Sequence, residues 1–150
     1  MERRDVIAVV KDLIDTVENS KEAFRLGAKA TDNADVKMLF LHYFHQREQF
    51  AIELQHLASA LRGEASEPES KESEAGYHEG NSFPSFSSAT DQAAIVAECE
   101  HWEDHSVRKY CQAVDLPLPD IVQHAVQTQG LEIKAAHDKL KSLRNLTRAA

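Results

Sequence analysis

Apolar residues recur every three to four positions through four long stretches of the chain, the spacing of one face of an α-helix. In the first, about residues 4–29, the stripe runs Ile7, Val10, Ile14, Val17, Phe24 and Ala28. The second, about 33–62, follows the good cap residues Thr31, Asp32 and Asn33 and carries Phe40, Tyr43, Phe50, Leu54, Leu57 and Leu61 before Gly63 ends it. The third, about 91–114, presents Ile95, Cys99, Trp102, Ser106, Tyr110 and Ala113 and closes before Pro117 and Pro119. The fourth, about 118–147, presents Val122, Ala125, Val126, Ile133, Ala136, Leu140 and Leu143. At a rise of 1.5 Å per residue, helices of this size are roughly 35–45 Å long. Four of them predict an all-α four-helix bundle, forming a single domain over residues 1–150.

Connection lengths narrow the topology. The first and second helices, and the third and fourth, are joined by short turns, so each pair is expected to form an antiparallel hairpin. Residues 63–90 form a long linker instead, rich in Glu, Ser and Gly. That segment reaches about 90 Å when extended, enough to cross the bundle from end to end. The alternative is an insertion without structure in an up-and-down bundle. Tyr77, Phe83 and Phe86 supply apolar anchors along a crossover and favour it.

Polar residues interrupt the apolar faces near mid-helix. Glu103 falls within the stripe of the third helix, and Glu100 lies on its flank. Arg47 is central to the stripe of the second, Lys21 breaks that of the first, and Gln129 sits between Val126 and Ile133 on the fourth. A carboxylate on a core-facing surface requires a partner, a proton or a metal, because burying an isolated charge is too costly. Lys21, Arg47, Glu103 and Gln129 are therefore expected to form one buried polar layer, with Arg47 donating to Glu103 or Glu100 and Gln129 completing the hydrogen bonds.

Composition adds constraints. The net charge is −8, but residues 64–79 hold six glutamates and one lysine, so the remainder is nearly balanced. No basic footprint for nucleic acid results. No run approaches the ~20 apolar residues of a membrane span, and the N-terminal residues carry no secretory pattern, so the expected location is the cytoplasm. Cys99 and Cys111 are 12 positions apart on one helix, roughly 18 Å by the helical rise, too far to bridge. His101 and His105 have metal-ligand spacing, but with Ala97, Asp104 and Arg108 they lie opposite the core stripe and are expected to be a solvated face.

Several segments carry a resemblance to a known family. They are Asp5-Val6-Ile7 with Leu13-Ile14, the run Arg47-Glu48-Gln49-Phe50-Ala51-Ile52-Glu53-Leu54, the run Ala94 to Asp104 with Tyr110, and Gln129 with His137-Asp138. In these the chain resembles bacterial ferritin-like four-helix-bundle proteins of a domain family of unknown function. The resemblance implies the ferritin-like fold, with two hairpins joined by a crossover, and no particular activity.

Ferritin-like di-iron centres take one Glu from each of two helices and a Glu-x-x-His from each of the other two. Here the fourth helix offers only Glu132 and His137, five apart, and the second has His45-x-x-Glu48 in reverse order. Lys21 and Arg47 also put cations where metal would lie. The expected role is thus structural or stress-associated, acting through association of helix faces in a homodimer rather than through catalysis, without a cofactor. The rival expectation is an iron- or manganese-binding protein or oxidoreductase, with Glu100 and Glu103 as first ligands and Glu53 and His137 as further ones.

Overall fold

The computed structural model describes residues 1–63 and 91–149, which form four helices. These are α1 (Arg3–Ala30), α2 (Ala34–Arg62), α3 (Gln92–Val114) and α4 (Asp120–Ala149). All four expected segments are helical, with ends within two residues of those read from the periodicity.

Local chemistry sets the ends. Asn33 caps α2, its side-chain oxygen accepting from the backbone N–H groups of Asp35 (2.9 Å) and Val36 (3.1 Å). Gly63 closes the helix at a φ of +64°, a left-handed conformation that glycine adopts without a Cβ penalty. Asp91 caps α3 by accepting from Ala93 N–H at 3.2 Å.

Two apolar clusters give the helix directions. One joins Phe24 and Ala28 of α1, Phe40 and Tyr43 of α2, Ile95 and Cys99 of α3, and Ala136 and Leu140 of α4. The other joins Val10 and Leu13, Leu54 and Leu57, Tyr110 and Ala113, and Val122 and Ile133. The C-terminal half of α1 therefore shares an end with the N-terminal halves of α2 and α3 and the C-terminal half of α4. Helices α1 and α4 run one way, and α2 and α3 run the other. Gly63 and Asp91 consequently lie at opposite ends of the bundle, as the crossover topology requires. Thr31, in the α1–α2 turn, donates from its hydroxyl to Gln92 at the start of α3 (2.7 Å) and pins that end. The proposed anchors Tyr77, Phe83 and Phe86 lie outside the described residues.

Packing is uneven around the ring. Helix α1 lies close against both α2 and α3, and α3 lies close against α4, whereas α2 and α4 stand farther apart. Gly27 marks the closest approach in the α1 layer: a Cβ there would sit 3.0 Å from Cys99 Sγ and from the Phe40 ring. Among the described residues, no helix is long and apolar enough to cross a membrane.

The core stripe of α1 differs in phase from the expected one. Val6, Val10, Leu13, Val17, Ser20, Phe24 and Gly27 are buried, while Ile7 and Ile14 are only half-buried on the flank. Ser20, not Lys21, therefore faces the interior. Lys21 is half-buried and pairs with Glu18 one turn earlier (3.0 Å), 6.0 Å from the Phe44 ring centre.

The cysteines differ in environment. Cys99 is fully enclosed and its thiol contacts the Ala23 carbonyl at 3.6 Å, whereas Cys111 is exposed. Burial, then the carboxylates of Glu103 and Glu98, pushes the Cys99 thiol well above its ordinary range. In native protein a thiol reagent should therefore modify one cysteine per chain promptly, Cys111. Cys99 should react only after denaturant is added, and mass mapping of two equally fast sites would refute this.

Candidate functional site: a buried arginine–glutamate layer and a carboxylate–histidine cluster

Along their own helices Ser20, Arg47 and Glu103 each fall between the two apolar clusters, and there they form a closed polar group. Arg47 and Glu103 have no exposed surface and Ser20 has 1%. Arg47 engages Glu103 through both terminal nitrogens: Nη2 donates to Oε1 at 2.9 Å and Nη1 donates to Oε2. Nη1 also donates to Ser20 Oγ (2.7 Å), and the Ser20 hydroxyl donates onward to Glu103 Oε2 (2.8 Å). Nε donates to Gln46 Oε1 (3.1 Å). The guanidinium carbon lies 5.3 Å from the Phe24 ring centre, 5.9 Å from Phe50 and 6.0 Å from Tyr43, so aromatic faces replace the water it gave up. This two-pronged geometry fits the guanidinium fork, which a lysine cannot reproduce.

Gln129 belongs to a neighbouring group. Its side-chain oxygen accepts from the Tyr110 hydroxyl at 2.6 Å, and its nitrogen donates to Glu53 Oε1 at 2.8 Å and to the Phe50 carbonyl at 3.5 Å. Burial pushes the Tyr110 phenol up, which keeps it protonated as a donor. The four-residue layer read from the sequence is thus two groups: Ser20–Arg47–Glu103 across α1, α2 and α3, and Glu53–Tyr110–Gln129 across α2, α3 and α4. Lys21 joins neither.

Glu100 is buried at 6% exposure and pairs with Arg144 Nη1 on α4 at 2.9 Å, rather than with Arg47. One turn further along α3, Asp104 Oδ1 lies 2.5 Å from His137 Nε2. Asp104 is half-exposed and turned toward α4, not directed to solvent with the exposed His101. Glu100, Asp104 and His137 each offer a ligand atom, all within 4.8 Å of one another. Of the four ligands expected from the sequence, the fold brings together Glu100 and His137. Glu103 is committed to Arg47, and Glu53 to Gln129. Asp104 and Arg144 were missed as participants. Their signal was spacing: Asp104 one turn from Glu100, and Arg144 two turns from His137.

A di-iron centre does not fit the middle of this bundle. The position it needs holds the Arg47 guanidinium and a serine, and the Glu103 carboxylate there already accepts three hydrogen bonds from them.

Comparison with known proteins agrees with the architecture. No curated protein matches the chain. Among solved structures, the chain superposes with a TM-score of 0.77 on a two-domain protein from Anabaena variabilis containing DJ-1/ThiJ/PfpI-like and ferritin-like domains. The identity is 13%, and the match covers 100% of this chain and 39% of that one, so it speaks for the fold alone. The model of a family described as Domain of unknown function (DUF2383) matches residues 5–116, which include Ser20, Arg47, Glu100, Glu103 and Asp104. With three of its four helices matched, the chain belongs to this family.

Proposed function

We propose that the chain acts as a non-catalytic, single-domain ferritin-like bundle of the cytoplasm, working in a structural or stress-associated role through association of its helix faces. The carrying observation is the fully buried Arg47–Glu103 pair, which fills the middle of the bundle with its own counter-charge. In a bundle neutralised in this way the central carboxylate is already engaged by a resident cation. Its outer surface supports association: Met38 (70% exposed), Leu41 (40%) and Ile52 (40%) line the outside of α2. On this reading purified protein sediments as a dimer and catalyses no iron oxidation by oxygen or peroxide, and Met38→Glu with Ile52→Lys makes it a monomer. Catalytic turnover of ferrous iron, or a wild-type monomer at micromolar concentration, would refute it.

A second reading is binding of a divalent metal such as iron or manganese by carboxylates of α3. The convergence of Glu100 and Asp104 with His137 favours it.

A further inference from the structure

We infer that the α3–α4 seam carries a divalent first-row transition-metal site formed by Glu100, Asp104 and His137, with Arg144 as the resident cation that the metal displaces. The inference deepens the metal-binding reading and rests on it, and it moves the site off the bundle axis to the edge of one hairpin.

Three observations support it. First, the donors are of the right kind and spacing. Glu100 and Asp104 are four apart on α3, so both face α4, where His137 meets them. A metal at about 2.0–2.2 Å from each donor needs ligand atoms roughly 3–3.5 Å apart, so the 2.5 Å Asp104–His137 contact must open slightly while the longer separations, within 4.8 Å, close. Imidazole with two carboxylates suits Zn(II), Fe(II), Mn(II) or Co(II), whereas Mg(II) and Ca(II) prefer oxygen alone.

Second, His137 has a carboxylate at each ring nitrogen: Asp104 Oδ1 at Nε2 (2.5 Å) and Asp138 Oδ1 at Nδ1 (3.3 Å). Asp138 is itself held by Lys134 Nζ at 3.0 Å. The Asp138 contact at Nδ1 leaves Nε2 as the ring nitrogen directed into the cluster, toward Asp104. This is how histidine ligands are generally held, with the far nitrogen donating to a carboxylate that fixes ring orientation.

Third, Arg144 occupies its place incompletely. Its Nη1 pairs with Glu100, yet its Nε is buried and finds no hydrogen-bond partner among the described residues. The side chain borders a hollow lined by Asp91, Ala93, Ala94 and Ala97, which gives the guanidinium somewhere to go. Exchanging one cation for a divalent one leaves Glu100 and Asp104 better neutralised than Arg144 alone does.

The test uses the full chain, stripped with a chelator and titrated with Co(II), read by visible d–d absorption and by equilibrium dialysis, with Zn(II) as competitor. One Co(II) per chain is expected. His137→Ala and Glu100→Gln should each weaken it roughly 10-fold or more. Arg144→Ala should tighten it about 10-fold by removing the competing cation, and His101→Ala/His105→Ala should leave it unchanged. Far-UV circular dichroism of each variant confirms the helices. Absence of saturable binding by both wild type and Arg144→Ala overturns the site and the metal-binding reading together. Binding that survives His137→Ala but vanishes in the His101/His105 variant overturns the site alone and leaves that reading standing.

Discussion

Replacing Arg47 with alanine should lower the stability of the bundle by about 3–5 kcal/mol. The loss comes mainly from what remains behind. Glu103 has no exposed surface, and without Arg47 the Ser20 hydroxyl is its one remaining donor among the described residues, so a buried carboxylate is left nearly uncompensated. Arg47→Lys should recover little, because an ammonium cannot span both carboxylate oxygens and stack among Phe24, Tyr43 and Phe50. Removing both charges at once is a different matter. Arg47→Met with Glu103→Leu replaces the pair by apolar side chains of similar size, and such exchanges are often neutral or stabilising. Urea unfolding of the two single variants and the double variant measures the coupling between the residues. A loss below about 1 kcal/mol for Arg47→Ala would mean that the two side chains do not depend on each other.

The next largest effect should follow Phe24→Ala, at about 3–5 kcal/mol. Phe24 is fully buried on α1, with ring centres 5.8 Å from Phe40 and 5.1 Å from Tyr43, both on α2. Truncation leaves a cavity between those rings and removes the aromatic face nearest the Arg47 guanidinium. The neighbours cannot close the gap readily, because Gly27, one turn along α1, already brings Phe40 and Cys99 against the helix backbone. Phe24→Leu should cost less, since it keeps most of the volume and loses only the ring. Equal losses for the leucine and alanine variants in thermal unfolding would show that ring contact, not cavity volume, dominates at this position.

Helix number, ends and hairpin pairing were legible in the sequence because they rest on strong local signals: long periodic stripes, Asn33 and Gly63 at the ends of α2, and prolines between α3 and α4. Arg47 and Glu103 were legible because a full charge within an apolar stripe is conspicuous and demands a partner. The phase of α1 was not. Val6-Ile7 and Leu13-Ile14 are adjacent apolar pairs, so either member of each can be placed at the centre of the stripe. Choosing Ile7 and Ile14 carries Lys21 inward seven residues on; the packed phase, Val6 and Leu13, carries Ser20 inward instead. A serine gives little hydropathy contrast, so nothing in the pattern marked it as a donor to Glu103. The partners of Glu100 and Gln129 were hidden for another reason. Each is chosen by which long side chain reaches across a seam, and that depends on interhelical spacing, which a one-dimensional pattern does not encode.

That spacing has a mechanical consequence. Helices α2 and α4 stand apart, and their gap is bridged by extended polar side chains: Gln129 to Glu53, and Gln46 to Glu132 at 3.5 Å. Long side chains can change rotamer and keep their hydrogen bonds while the backbones separate, whereas the close α1–α3 contact cannot widen without opening a void. The molecule should therefore breathe like a book, with α1 and α3 as its spine and the α2–α4 gap as the edge at which the pages part.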